Sequence, residues 1–556
     1  MEKEVMVFMN ETYDVVVIGS GAGGLAAAVA LAQAGKSVLV CEQHEVAGGW
    51  CHSFTLNGYR FSPGVHYIGG VEEGGWLRSV YEGLGISQDL EFCELNPDGY
   101  DHIFVGEERF DIPKGKENFA ARLKERFPEE TEGIDGYLDA VSGMMEGLSR
   151  LGKVKGAVGA VKAVPDAASA IMWSRRSGQD LIDKYVSDPL LKAILAGQSG
   201  DHGMPPSEVS AFMQAGVTRH YFNGGYYPRG GGFAIPRAFV RALKRAGSEL
   251  RLETSVKRIL LEDERVVGVE LEDGSVIRAE TVISNADPEV TFGKLIGREH
   301  LDGKLRKKLD RVKYSTSSLS LFFAVDMDLR EAGLDSGNYW FYDHEDVDAL
   351  YRQGQTSHVL DAESPGMMFL TVTTLKDPSK MHKGHHTCEA FSFVSYNAFE
   401  QWAGEETGEH SPDYEGMKEE LSWKMFKALE RRIPGISEHV VFWSLGTPLT
   451  NEHYINATEG NLYGIEKSRT QVGPGSFPIN TAFDGLLMVG ASTLSHGVSG
   501  ATATGLAAAR KVLGCRTADI LNQNGPPLRI YPAEDISQWP EDLQKRIERG
   551  SKVVKN

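Results

Sequence analysis

The stretch that most constrains this 556-residue chain is Asp14 to Gly49. Tyr13-Asp14-Val15-Val16-Val17-Ile18 is a β-branched run without a polar break, which reads as a buried parallel strand. Gly19-Ser20-Gly21-Ala22-Gly23-Gly24 follows directly, a G-x-G-x-x-G pattern. In such a pattern the first glycine permits the tight turn and the second lets backbone approach a pyrophosphate. The third lets the following helix pack on the strand. Leu25 to Ala34 is alanine-rich and helix-favouring, with Gly35 as its stop. A second strand runs Ser37 to Val40, and Glu42 stands at its end, where a carboxylate can accept both hydroxyls of an adenosine ribose. The plain alternative is a glycine-rich turn in an ordinary βαβ unit. A lone G-x-G-x-x-G would not separate the two, but strand, glycines, helix, strand and terminal acid at these offsets favour dinucleotide binding.

Glu42-Gln43-His44-Glu45-Val46-Ala47-Gly48-Gly49 places a Gly-Gly pair a short loop after the acid. That spacing suits a second backbone approach to a long cofactor leaving the first fold unit. With the motif beginning almost at the N-terminus, this resembles the flavoprotein family of amine oxidases and phytoene desaturases, which hold FAD in an extended pose.

The length exceeds one simple core, so two lobes are expected. A net charge of −19 argues against nucleic acid as a partner. Five cysteines (Cys41, Cys51, Cys93, Cys388, Cys515) show no CxxC pair, which suits a reducing compartment. No apolar run reaches membrane-spanning length, and Met1-Glu2-Lys3-Glu4 is not a secretory signal, so a cytoplasmic protein is expected. Around 151–176 a small, apolar and basic segment with Trp173 interrupts the acidic chain, and peripheral contact with an anionic membrane is expected there. A cap helix packed on its own lobe explains the segment equally well, and Pro165 argues against one continuous helix.

Residues 71–200 read as a mostly helical lobe, with helical spacing over 119–127, 136–151 and 180–195. Residues 248–287 read as a small β-unit with a hairpin at Asp273-Gly274. Strands are expected at 319–325, 367–373 and 389–396. His382, His385 and His386 resemble a metal cluster, but Lys383 and the lack of nearby cysteine or acid favour a solvated loop, and no metal site is expected. Near the end, a strand closing at Gly490 precedes a small-residue helix expected to begin near Ser499, with Gly500 and Ala501 in its first turn. The tail beyond Cys515 carries a short helix around 541–549 and either packs or stays free.

Beyond the flavoprotein pattern, Val15–Gly24, Glu42-Gln43-His44, Ala47-Gly48-Gly49 with Cys51-His52, and Gly64-Val65-His66-Tyr67-Ile68-Gly69 look like retinol saturases and their relatives. So do Tyr227-Pro228-Arg229-Gly230-Gly231, Ser284-Asn285-Ala286 and Thr447-Pro448-Leu449-Thr450-Asn451. Carotenoid isomerases and phytoene desaturases form the next ring. The resemblance implies an α/β, two-lobed, Rossmann-like FAD fold with a discontinuous cofactor domain (1–75, 230–290 and 476–515). An α+β substrate lobe (76–229 and 291–475) and a tail (516–556) complete it.

The implied cofactor set is Gly19, Gly21, Gly23, Gly24, Glu42, Gln43, Gly48, Gly49, Val256, Asn285, Gly490, Ser499, Gly500 and Ala501. The substrate it implies is a polyene, retinoid, carotenoid or other unsaturated lipid. Two departures stand out: Trp50 replaces a smaller residue, and the animal enzymes' N-terminal targeting segment is absent. A double-bond saturase needs a proton donor, and the candidates are His66 and Tyr67, then His52, Tyr226 and His496. Without a second glycine fingerprint the electron partner stays open. Alternatives are a cis–trans isomerase, a desaturase or amine oxidase, and a flavin-free prenyl-lipid carrier like the GDP-dissociation inhibitors.

Overall fold

The computed structural model describes residues 11–151 and 164–552. Two seven-stranded sheets organise the molecule. The first runs Val256–Glu262, Arg265–Leu271, Val276–Ser284, Glu11–Ile18, Val38–Cys41, Glu249–Arg251. Val276–Ser284 changes neighbours along its length. Its start pairs antiparallel with Arg265–Leu271, and its end pairs parallel with Leu486–Met488. The sheet therefore gathers three distant stretches of chain, and the loops leaving its parallel strands at Ile18, Cys41, Ser284 and Met488 share one end. That end is where ligands bind in open α/β sheets.

The helix Ala22–Gln33 is buried along nearly its whole length, as its alanines allow. It packs against the helix Gly497–Leu513, and contact is so close that a Cβ on Gly505 would lie 2.1 Å from Gly23 O. Gly35 takes φ +87°, the left-handed stop expected after a helix.

The second sheet runs Val440–Gly446, Ser317–Val325, His386–Val394, Met367–Val372, Asn338–Tyr342, Asp101–Val105, Glu108–Ile112. Its last two strands fall within 71–200, whose described residues are otherwise mostly helical. Asp101 and His102 look like loop residues, yet both are buried. Asp101 accepts from Asn338 Nδ2 and Gln198 Nε2, and His102 bridges Asp111 and Asp335. A third strand there, Glu91–Glu94, pairs with Arg529–Pro532 of the tail.

The single helical stretch expected over 180–195 is two helices, Gly178–Asp183 and Pro189–Ala196, because Pro189 can open a helix but not continue one. The tail packs, with Ala533, Trp539, Leu543 and Ile547 buried. Of the basic segment 151–176, residues 152–163 lie outside the described residues. The remainder forms the helix Val164–Trp173, where Trp173 is buried while Val164 and Ile171 are exposed. Among the described residues no helix is long and apolar enough to cross a membrane.

Candidate active site

One continuous cavity opens at the shared end of the first sheet and runs to the face of the second. The chain places in its wall Gly19, Gly21, Glu42, Gln43, Gly48, Gly49, Val256, Asn285, Gly490 and Ala501 of the expected cofactor set, with His52 and His66. Gly23 and Gly24 stand just behind. A Cβ on Gly24 would lie 2.2 Å from Gly19 O, and one on Gly23 would lie 3.0 Å from both Ala501 O and Gly490 N. The third glycine thus sets strand–helix packing, and Gly23 admits the C-terminal segment. The helix Gly497–Leu513 starts close to the expected Ser499, and Ser499 and Gly500 fall in its first turn, off the wall.

Polar groups fix these loops to one another. Glu42 Oε2 accepts from Ser20 N at 2.8 Å and Ser20 Oγ at 2.6 Å, and its Oε1 accepts from His44 N at 3.0 Å. Ser20 Oγ accepts in turn from Gly48 N at 2.9 Å, tying the Gly-Gly pair to the first loop. Asn285 N donates to Ile18 O, and its Oδ1 accepts from Gly24 N at 3.0 Å. Its amide also sits where a Gly21 side chain would go, with Nδ2 2.5 Å from that Cβ position. Steric pressure at Gly21 therefore comes first from Asn285.

These features fit FAD. The helices opening at Ala22 and Gly497 both point into the cavity, and neither has a side-chain N-cap bond or an acid in its first turn. Their first-turn N–H groups have no intrahelical partner and suit an anionic group. Glu42 holds two carboxylate oxygens at the same wall.

The candidate proton donors separate. His66 is on the wall, with Nδ1 2.9 Å from Glu389 Oε2. A carboxylate only accepts, so Nδ1 carries the hydrogen and Nε2 is the ring nitrogen without a hydrogen-bond partner among the described residues. Glu389 is 1% exposed and its Oε1 accepts from Ser62 N at 2.7 Å. The stacked pair Phe369 and Phe391 packs beside the imidazole, at 5.3 and 5.4 Å between ring centroids. Lys376 Nζ donates to His66 O at 2.7 Å, pinning the backbone.

His52 also lines the cavity, its Nδ1 donating to Gly49 O at 2.8 Å, and burial lowers its proton affinity. Tyr67 lies off the wall and donates towards Asp201 and Asp101 at 2.7 and 3.0 Å. Tyr226 is buried in the strand Tyr226–Pro228, donating to Asn223 O. His496 is the N-cap residue of the helix Gly497–Leu513, donates from Nε2 to Asp201 O at 2.7 Å, and is pushed by burial down to about 3. None of these three lines the cavity. Burial pushes the Cys51 thiol up to about 12, which makes this wall cysteine a poor nucleophile.

Sequence reasoning missed Glu389, Ser318, Ser320, Phe391 and Tyr463, all contributed by the second sheet or its flanking loop. A signal existed for Glu389, a single acid inside the apolar run Cys388-Glu389-Ala390-Phe391. Trp50 lines the cavity over Gly64, whose Cβ position is 3.1 Å from the indole. His382 to His385 form a partly exposed turn, with His385 Nδ1 2.6 Å from Tyr59 Oη, whereas His386 opens a strand and is buried against Thr374. No group able to hold a metal occurs among the described residues.

A mixed sheet with a glycine cradle, a terminal acid and two uncapped helix starts, facing a second sheet across one cavity, fits a flavin-dependent oxidoreductase. Residues 22–513 match the family model described as flavin containing amine oxidoreductase, and the chain belongs to that family, with FAD as its cofactor. It is 32% identical to the all-trans-retinol 13,14-reductase of Danio rerio, over 82% of this chain and 78% of that protein. It is 29% identical to the chloroplastic prolycopene isomerase of Arabidopsis thaliana, over 90% and 82%. An oxidoreductase from Methanosarcina mazei shares the fold with a TM-score of 0.58 at 17% identity, over 89% of this chain and 99% of that one. Membership of an enzyme family displaces the flavin-free carrier alternative.

Proposed function

We propose that the protein saturates a carbon–carbon double bond of a long apolar polyene, with His66 as the proton donor. The observation that carries this is the His66–Glu389 pair, with His66 and Phe391 on the wall of the cavity that also carries the cofactor cradle. The relatives named for retinol reduction support the substrate class.

Bound FAD supplies the electron-pair transfer. The cradle residues Gly19, Gly21, Gly48, Gly49, Gly490 and Ala501 would hold it, with Glu42 taking the ribose hydroxyls and Asn285 bracing the glycine turn. His66 would deliver a proton from Nε2 when both ring nitrogens are protonated, and Glu389 fixes the ring by accepting from Nδ1. Phe391 would give a conjugated chain an apolar surface beside the imidazole, with Phe369 stacked on it at 4.6 Å between centroids. The exposed Val164 and Ile171 support peripheral membrane contact, where such substrates reside.

The test is anaerobic. Flavin-loaded protein is reduced with dithionite, mixed with retinoids, carotenoids and unsaturated lipids, and followed by flavin absorbance and product mass. Reoxidation with a gain of two hydrogens is expected. The isomerase reading is favoured by the prolycopene isomerase relatives, and it requires product of unchanged mass with flavin still reduced. Peroxide release on mixing oxidised protein with amines would replace both readings.

A further inference from the structure

A second pocket lies behind the cofactor loop, between the hairpin Phe54–Phe61, the start of the helix Ala234–Arg245 and the C-terminal helix Glu541–Gly550. Pro236 closes the gap between the two sites, its Cγ 2.8 Å from where a Gly48 Cβ would stand. The second pocket shares no lining residue with the cofactor cavity.

Its wall carries Arg60, Arg229, Arg237, Lys380, Arg546 and Arg549, and Asp542 is the carboxylate on it. This is a concentration of positive charge in a chain of net charge −19. Some of the cations have partners: Arg229 pairs with Glu91, Lys380 donates to Tyr227 Oη at 2.9 Å, and Arg549 Nε donates to Lys545 O. Among the described residues Arg60 has only the ring of Phe233. Arg237 and Arg546 have no carboxylate partner among the described residues. Arg237 Nε is buried with no acceptor among them. Burial, with Arg241, Arg60 and Arg229 close by, weakens the hold of Arg237 on its proton.

We propose that this pocket binds a phosphate-bearing anion, engaged by Arg60, Arg237 and Arg546. Convergent guanidinium forks match the geometry of phosphate oxygens, and a polyphosphate's charge answers several cations at once where a single carboxylate would leave most unpaired. A concave site with one buried unsatisfied donor favours a small head group over a flat protein surface. The same chemistry is offered by a soluble phosphorylated compound and by a phospholipid head group.

Inorganic pyrophosphate is the probe, added to the flavin-loaded full chain at constant ionic strength, with melting temperature and bound flavin followed together. A saturable rise in melting temperature with flavin retained is expected. Arg237→Gln is expected to weaken the midpoint by about tenfold or more, the loss of a charge-assisted bond. Arg546→Gln, at an exposed position, reads the same effect if Arg237→Gln folds poorly. Arg258→Gln, on a remote strand, leaves the midpoint unchanged. No saturable shift, an equal shift in both pocket variants, or pyrophosphate acting by expelling flavin would overturn the proposal.

Sedimentation with phosphatidic acid vesicles distinguishes the sources. Binding released by pyrophosphate and lost in Arg546→Gln assigns a lipid head group. A pyrophosphate shift without vesicle binding assigns a soluble phosphate.

Discussion

Replacing Glu389 by Gln isolates what the buried carboxylate does for His66. The change is nearly isosteric at a side chain 1% exposed, so packing is conserved. The carboxylate serves two donors, His66 Nδ1 at 2.9 Å and Ser62 N at 2.7 Å. An amide offers one oxygen and one NH2, so one donor loses its acceptor and the other exchanges a charged partner for a neutral one. Hydrogen bonds to charged groups contribute about 1.5–3 kcal/mol and neutral ones about 0.5–1.5 kcal/mol. The bond to His66 therefore weakens by about 1–1.5 kcal/mol, or about 5–15-fold in rate if the strengthening is felt in the transition state. His66→Ala removes the acid altogether, with an expected loss of about 10²–10⁴-fold. Stopped-flow reoxidation of pre-reduced enzyme by the polyene found in the panel measures both. Flavin content should equal that of the parent, because neither residue hydrogen-bonds the cradle. Parental rates in either variant with flavin intact would refute the pair's role.

The three remaining expectations concern the frame around the site. Gly24→Ala should abolish flavin binding, because its Cβ would stand 2.2 Å from a backbone oxygen that has no freedom to move; stoichiometric flavin in the purified variant would contradict this. Gly505→Ala should destabilise by about 1–3 kcal/mol through the same kind of overlap, at Gly23 O, read as a lower melting temperature. Four histidines that desolvation holds neutral should make the fold acid-sensitive. Burial holds His202, His220 and His386 down to about 4 and His496 to about 3, from an ordinary 6.5. The unfolded chain therefore binds more protons between about pH 4 and 6.5, and these groups remove stability as pH falls through that window. Asp101, raised by burial to about 6, and Asp201, raised further, act in the opposite sense. His220 accepts from Gly69 N at Nε2, so His220→Gln keeps an acceptor without the titration. Its melting temperature should fall less between pH 6.5 and 4.5 than the parent's; equal slopes would count against the argument.

What the sequence made legible, and what it hid, follows from where each side chain finds its partner. Val15 to Gly24 could be read because its meaning is local: an apolar run makes a buried strand, and the glycine offsets are set by a turn and a helix a few residues away. The strands at Asp101 and Glu108 could not. Their burial depends on Asn338, Gln198 and Asp335, more than 90 residues distant, and nothing near Asp101 announces them. The same logic divides the candidate donors. His66, Tyr67 and His496 look alike in sequence, each a polar group among glycines and apolar residues. Only the fold shows that Tyr67 and His496 turn to Asp201 while His66 turns to Glu389 at the cavity wall. Glu389 is also where the two kinds of information meet. A lone acid in the middle of a fully buried strand costs too much to stand without a partner. That cost is readable from the sequence, and it requires that a donor such as His66 come to it from elsewhere in the chain.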